Sequence, residues 1–241
     1  MIRENAAAVQ GRIATAATRA GRSADDVTLV AISKTFPAAA IRAAWEAGIR
    51  HFGENRVQEW EGKRPDVADL AATWHLVGHL QSNKARRAAA LFHSVDSVDS
   101  LDLARRLDAA SRDSTGASTA QRLRVLLEVR LAPEKTKTGA EPAELEAIAR
   151  GVLLLPGLEL AGLMCVPPFA ENPEQARPCF RRLRELRNAL RASLATSLPA
   201  AASPDAILPV LSMGMSHDFE VAIEEGATEV RVGSAIFGAR G

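Results

Sequence analysis

Lys34 ends the apolar run Val27-Thr28-Leu29-Val30-Ala31-Ile32-Ser33 and stands just before Phe36-Pro37. The β-branched content of the run, with Asp25-Asp26 ahead of it, marks a buried strand. An amine at a strand end ordinarily reaches for solvent or pairs with a carboxylate. Held in an apolar pocket, it loses its proton more readily, and the neutral amine can attack a carbonyl to form a Schiff base. Two other stretches suggest anion binding. Ser212-Met213-Gly214-Met215-Ser216 and Gly233-Ser234 are Gly- and Ser-rich, and each leads into an expected helix. Backbone amides at helix starts favour an anion, and glycine lets it approach. The same glycines would also serve tight turns. Arg231 lies between Val230 and Val232 on an alternating strand, so it faces away from both. It is either a buried cation at the mouth of the fold or the partner of a carboxylate such as Glu54 or Glu128.

These groups need elements to position them. An amphipathic helix is expected over about 3–20, ended by Gly21, followed by the strand that carries Lys34. Further strands are expected at 49–53, 73–78, 92–95, 123–129, 158–164, 207–212 and 228–232. Pro209 counts against a regular central position in the seventh. Helices are expected from Pro37 to Gly48, then at 54–63, 83–91, 100–110, 142–150, 173–194 and 217–225, with a short one at 234–237. Residues 111–120, 132–139 and 199–205 read as loops. Strand–helix alternation implies parallel strands. Eight repeats with no compositional break predict one (β/α)8 barrel domain over residues 1–241 rather than an open sheet. No Gly-x-Gly-x-x-Gly follows a strand, and there is no Gly-Lys-Ser/Thr phosphate loop.

In such a barrel, function gathers at the C-terminal ends of the strands, with phosphate often held after strands seven and eight. Lys34 and both Gly/Ser stretches fall there, as do Gly53-Glu54-Asn55 and Gly78-His79-Leu80-Gln81. A ligand with both an aldehyde and a phosphate, such as pyridoxal 5′-phosphate, would engage the lysine and the cradle together. A phosphosugar handled by a Schiff-base aldolase would do the same.

The composition narrows the classes. The chain has 241 residues, 47% hydrophobic and 24% charged, with a net charge of +1. That balance argues against bulk binding to nucleic acid or an anionic membrane. The cluster Arg181, Arg182, Arg184, Arg187 reads as a solvated helix face. Cys165 and Cys179 have no metal-ligand spacing and do not indicate a disulfide scaffold. The five histidines show no His-Glu-x-x-His pattern, so no metal is expected. No signal-peptide core or bilayer-length run is present, and a cytoplasmic protein is expected. There is no tyrosine, which excludes any mechanism needing a phenol from this chain.

Seven motifs in order resemble the pyridoxal phosphate homeostasis proteins, the YggS/PROSC family, over nearly the whole chain. They are Ala31-Ile32-Ser33-Lys34-Thr35, Phe52-Gly53-Glu54-Asn55 with Val57-Gln58-Glu59, Trp74 to Lys84, Lys137-Thr138-Gly139, Gly162-Leu163-Met164, Ser212 to Ser216, and Arg231 to Gly238. Arg56 stands where the family often has tyrosine. The resemblance implies a barrel similar to the alanine racemase N-terminal domain, with pyridoxal 5′-phosphate held as a Schiff base on Lys34. It implies Asn55 near the ring and Arg231 facing the pyridine nitrogen. Ser212, Met213, Gly214, Met215 and Ser216, with Gly233 and Ser234, would form the phosphate cradle. The family is described as carriers or regulators of the free cofactor, so no catalytic residue is expected. Apo enzymes that use the cofactor are candidate acceptors, and a monomer is expected. The alternative is a pyridoxal-dependent enzyme acting on amino acids, racemase-like, with Lys34 as base or with His79 or Lys137 assisting.

Overall fold

A computed structural model of the chain describes residues 1–115, 122–131, 138–195 and 207–238. Eight strands close into a barrel in sequence order, β1 returning to pair with β8. They are β1 Thr28–Ile32, β2 His51–Glu54, β3 Thr73–Leu76, β4 Ser94–Val98, β5 Leu123–Glu128, β6 Leu158–Met164, β7 Val210–Met215 and β8 Glu229–Val232. Every neighbouring pair is parallel. The helices alternate with them: α1 Ile2–Arg19, α2 Ala38–Glu46, α3 Val57–Lys63, α4 Ala85–Leu91, α5 Leu101–Thr115, α6 Leu145–Leu153, α7 Arg177–Ala195, α8 Phe219–Glu224 and α9 Ser234–Phe237. The expected (β/α)8 barrel is what the chain forms.

The helices cover the barrel because their apolar residues recur at helical spacing. In α1, Ala6, Val9, Ile13, Ala16 and Ala17 are buried, and in α6 Leu145, Ile148, Ala149 and Val152. They join one continuous core with the outward faces of the strands. The helix after β8 has only four residues. The outer wall there is shared by α1, which packs on α2, α8 and α9. Asn5 Nδ2 donates to the Ile236 carbonyl at 3.0 Å, and Arg12 pairs with Glu220 at 3.0 Å.

Several boundaries differ from the sequence reading. Strand β7 covers 210–215, not 207–212. Pro209 has no N–H for the ladder, so pairing starts just after it. The Ser212–Met215 stretch is therefore mostly strand and not a loop. Strand β4 is set two residues later than expected, and α3 starts at Val57 because Glu54 completes β2. Helix α5 runs on to Thr115, into the stretch read as a loop. A 3₁₀ turn at Pro173–Ala176 precedes α7. The expected loop at 199–205 lies outside the described residues, as does most of 132–139. No helix among the described residues is long and apolar enough to cross a membrane.

Candidate functional site

A cavity of about 710 Å³ opens at the C-terminal ends of the strands, a size suited to a small organic molecule. Seven of the ten expected binding residues line it: Lys34, Asn55, Met215, Ser216, Arg231, Gly233 and Ser234. Ile32, Phe36, Val77 and Val129 add apolar wall, and His79, Glu128 and Thr138 add polar groups.

Lys34 sits in the turn after β1, and that turn is tightly held. Ser33 is buried. Its N–H donates to the Gly53 carbonyl at 3.0 Å, and its hydroxyl donates to Glu54 Oε1 at 2.7 Å. Lys63 Nζ, at the end of α3, donates to the Ser33 carbonyl at 3.0 Å and to Glu54 and Glu59 at 2.8 Å each. Glu59 also accepts the N–H of Thr35. Thr35 has φ +68°, left-handed backbone that a β-branched residue adopts only under constraint. The Ser33, Glu54, Glu59, Lys63 clamp supplies that constraint, so the backbone carrying the amine is fixed. Burial raises the Glu54 carboxyl above its usual range, against the lowering effect of Lys63 and Ser33.

Arg231 is buried on β8. Its guanidinium donates to Ser212 Oγ at 2.7 Å and to the Cys165 carbonyl at 2.8 Å. Neither expected carboxylate pairs with it. Glu54 is taken by Lys63, and Glu128 accepts from Thr138 Oγ1 at 2.9 Å. Burial pushes the Glu128 carboxyl up, and nearby Arg231 only partly offsets this.

Ser212, Met213 and Gly214 do not line the cavity. Ser212 supports Arg231 from below, and Met213 is fully buried in the core around the barrel. Gly214 has φ +92°, and a Cβ there would lie 2.6 Å from Ala222 Cβ, so its glycine answers the packing of α8. Of the two Gly/Ser stretches, Ser216, Gly233 and Ser234 reach the cavity wall together with Met215. Ser216 Oγ accepts the N–H groups of Gly233 at 3.1 Å and Ala235 at 3.3 Å, which joins the two loops. Met215 N–H donates to Asp218 Oδ1 at 2.6 Å, fixing the approach to Ser216. On the opposite wall, a Cβ on Gly78 would run into the backbone of Asn55, so glycine at 78 sets where Asn55 sits. His79 faces Asp99 at 3.5 Å. Lys137 lies outside the described residues.

Sequence reasoning missed the Lys63 clamp, and it offered Glu128 only as a possible partner of Arg231, not as a residue of the cavity wall. Glu59 and Lys63 carry the i, i+4 signal of a helical ion pair, but nothing local ties them to Ser33. Glu128 ends a strand, which in a barrel places it at the mouth.

The other half of the barrel interior is also polar. His75 Nδ1 donates to Asp96 Oδ2 at 2.9 Å, and its other ring nitrogen is 3.1 Å from His51 Nδ1. Arg124 reaches Ser94 Oγ at 3.2 Å and Glu229 Oε2 at 3.3 Å. His75, Asp96 and Glu229 form the grouping of metal-ligating residue types among the described residues. Their charge already has cationic partners: Arg124 pairs with Glu229, and His75 holds Asp96. Burial disfavours a charged His75, but Asp96 and then Glu229 outweigh it, and its pKa is raised. Burial, with His75 and Arg124 adding to it, lowers His51 to about 4.

A pH dependence follows. Between pH about 6.5 and about 4 the unfolded chain protonates His51 and the folded chain does not, so folding stability falls as pH falls through that window. His51→Asn keeps an acceptor for His75 and removes this proton. Urea unfolding at pH 7 and pH 4.5 should show a smaller acid loss in the variant, by on the order of 1 kcal/mol, since the ring is only half-buried. Equal losses in the two proteins would contradict the assignment.

The barrel belongs to a known class, that of the alanine racemase N-terminal domain. The model of that family, described as "Alanine racemase, N-terminal domain", matches residues 5–241. Within it the chain belongs to the pyridoxal phosphate homeostasis proteins. It is 47% identical over 240 residues to the "Pyridoxal phosphate homeostasis protein" of Pseudomonas aeruginosa PAO1, covering 99% of this chain and 96% of that one. Among solved structures, PipY of Synechococcus elongatus PCC7942 with PLP bound is 37% identical, with a TM-score of 0.83 over 99% of this chain and 100% of that one. PipY without PLP superposes with a TM-score of 0.82 at 38% identity, with the same coverage. Alanine racemase from Corynebacterium glutamicum, at 18% identity and a TM-score of 0.62, shares the fold over 97% of this chain and 61% of that one.

Proposed function

We propose that this protein holds pyridoxal 5′-phosphate reversibly and takes part in its homeostasis as a carrier rather than a catalyst. The observation that carries this reading is a single cavity joining Lys34, Arg231 and the Ser216, Gly233, Ser234 cradle. The residues present fit the cofactor. Lys34 offers an amine to its aldehyde, the cradle offers hydroxyl and amide groups to its phosphate, and Arg231 offers a fixed cation to the pyridine nitrogen. Asn55, on the same cavity wall, would stand beside the ring. Ile32, Val77 and Phe36 give the apolar wall a flat ring needs. PipY, a structural relative, was solved with PLP bound, which supports the same ligand here.

The carrier reading rests on two features. Bound pyridoxal phosphate supplies an electron sink, and that sink is weak when its pyridine nitrogen is unprotonated. A guanidinium facing the nitrogen disfavours the proton. The chain also has no tyrosine, so it brings no phenol to act as a second base. A single barrel over 1–241, working as a cytoplasmic monomer, would receive the free cofactor and pass it to apo enzymes.

The test is an absorbance titration of the purified protein with pyridoxal phosphate, then borohydride reduction and peptide mapping. A new band and a reduced adduct on the Lys34 peptide are expected. With L- and D-alanine and other amino acids, racemisation and transamination should stay near background. No band would remove the cofactor reading, and robust turnover would remove the carrier reading.

A further inference from the structure

Cys165 follows β6 directly, and Cys179 lies in the first turn of α7, which packs over that strand. Their sulfurs are 4.0 Å apart, and no disulfide joins them. These are the only two cysteines in the chain, so within one molecule each has a single possible partner. Cys165 is fully buried and Cys179 half-buried. The neighbouring Cys179 thiol, followed by burial, pushes the Cys165 thiol well above its usual range. Cys165 therefore stays protonated, and Cys179 is the sulfur a solution oxidant meets first.

We propose that Cys165 and Cys179 are an oxidisable pair, closed to a disulfide by a hydroperoxide, and that closing it disturbs the cofactor site. The chemistry balances in two steps. Cys179 sulfur, as thiolate, attacks a peroxide oxygen; the S–O bond forms, the O–O bond breaks, and hydrogen peroxide leaves one water. Cys165 sulfur then attacks the resulting sulfenic sulfur; the S–S bond forms, the S–O bond breaks, and the Cys165 proton leaves in a second water. Two thiols lose two hydrogens and two electrons, and one peroxide becomes two waters.

The link to the site is direct. The Cys165 carbonyl accepts from Arg231 at 2.8 Å, and the Cys165 N–H donates to the Ser212 carbonyl at 3.2 Å. Ser212 Oγ is the other acceptor of Arg231. A disulfide needs its sulfurs about 2.05 Å apart, so closure must shorten the present 4.0 Å separation, and any share of that shift taken by the Cys165 backbone moves the carbonyl that Arg231 holds. It also closes a ring through Val166 and Phe169, two residues of the cavity wall. The guanidinium then loses the acceptor geometry that aims it.

The coupling half of this proposal rests on the cofactor reading above; the disulfide half does not. The full-length protein is treated with a small excess of hydrogen peroxide, quenched, and weighed intact under denaturing, non-reducing conditions. Loss of two hydrogens, with no thiol left to alkylate and full reversal by dithiothreitol, is expected. Cys179→Ser and Cys165→Ser should each fail to lose the two hydrogens. Oxygen addition without hydrogen loss, or a cross-linked dimer, overturns the pair. The oxidised protein is then titrated with pyridoxal phosphate beside the reduced parent and the treated Cys179→Ser variant. Affinity should be several-fold weaker in the oxidised parent alone. Equal affinity overturns the coupling. If even the reduced parent binds no cofactor, the carrier reading fails and the coupling with it, and the mass result still decides the pair.

Discussion

Lys34→Ala is expected to lose the absorbance band of bound pyridoxal phosphate completely and to give no borohydride-stable adduct. The fold should be nearly unaffected. Lys34 is half-buried, and its turn is held by the backbone of Ser33 and Thr35 and by Lys63, all retained in the variant. With those backbone bonds retained, the change in stability should stay within about 1 kcal/mol. The groups proposed to hold the phosphate and the ring are retained, so the variant should still take up the cofactor more weakly, without the band. The checks are an absorbance spectrum and a thermal melt of parent and variant side by side. A band that persists in the variant would move the attachment to another amine, with Lys137 tested next.

Arg231→Ala should combine the largest stability loss with a loss of binding. The side chain is buried and spans two acceptors, Ser212 Oγ on β7 and the Cys165 carbonyl just after β6. Removing it leaves both buried acceptors without this donor. An unsatisfied buried polar group costs about 1–3 kcal/mol, so about 2–4 kcal/mol in total is expected after partial relaxation. Glu128 also loses the positive charge that tempers its raised pKa, so its carboxyl should hold a proton to higher pH still. Cofactor affinity should fall at least tenfold, the cost of about 1.4 kcal/mol of lost interaction. Urea unfolding and an absorbance titration check the two parts separately. A variant as stable as the parent, binding as tightly, would show that the arginine is only a bystander.

The barrel was legible because each repeat announces itself locally. Apolar runs such as Leu123 to Val129 alternate with helical spacing such as that of Val9 and Ile13, and the alternation alone implies parallel strands. Once the barrel is assumed, the mouth residues follow from strand ends, which is how Lys34, Ser216 and Gly233 could be named, while Arg231 stands out by its alternation with Val230 and Val232. The errors have a physical pattern. Met213 and Gly214 read as the start of a loop because Gly and Ser recur around them, but β7 starts only after Pro209 and runs on through them to Met215. The clamp of Lys63 on Ser33, and the cluster of His75, Asp96, Arg124 and Glu229, depend on contacts between distant strands and helices. Nothing in the spacing within one segment reports them.

Thr35 carries a consequence for anyone who would make this protein hardier. A β-branched residue in left-handed backbone costs roughly 1–2 kcal/mol relative to its preferred conformation, and Thr35 adopts that backbone beside Lys34. Relaxing the turn is an obvious route to heat tolerance, and it is also a route to an amine that swings. Stability in this barrel has been given up where aim is needed, so the most heat-resistant variants should be sought away from residues 33–36, among the helices that only wrap the wall.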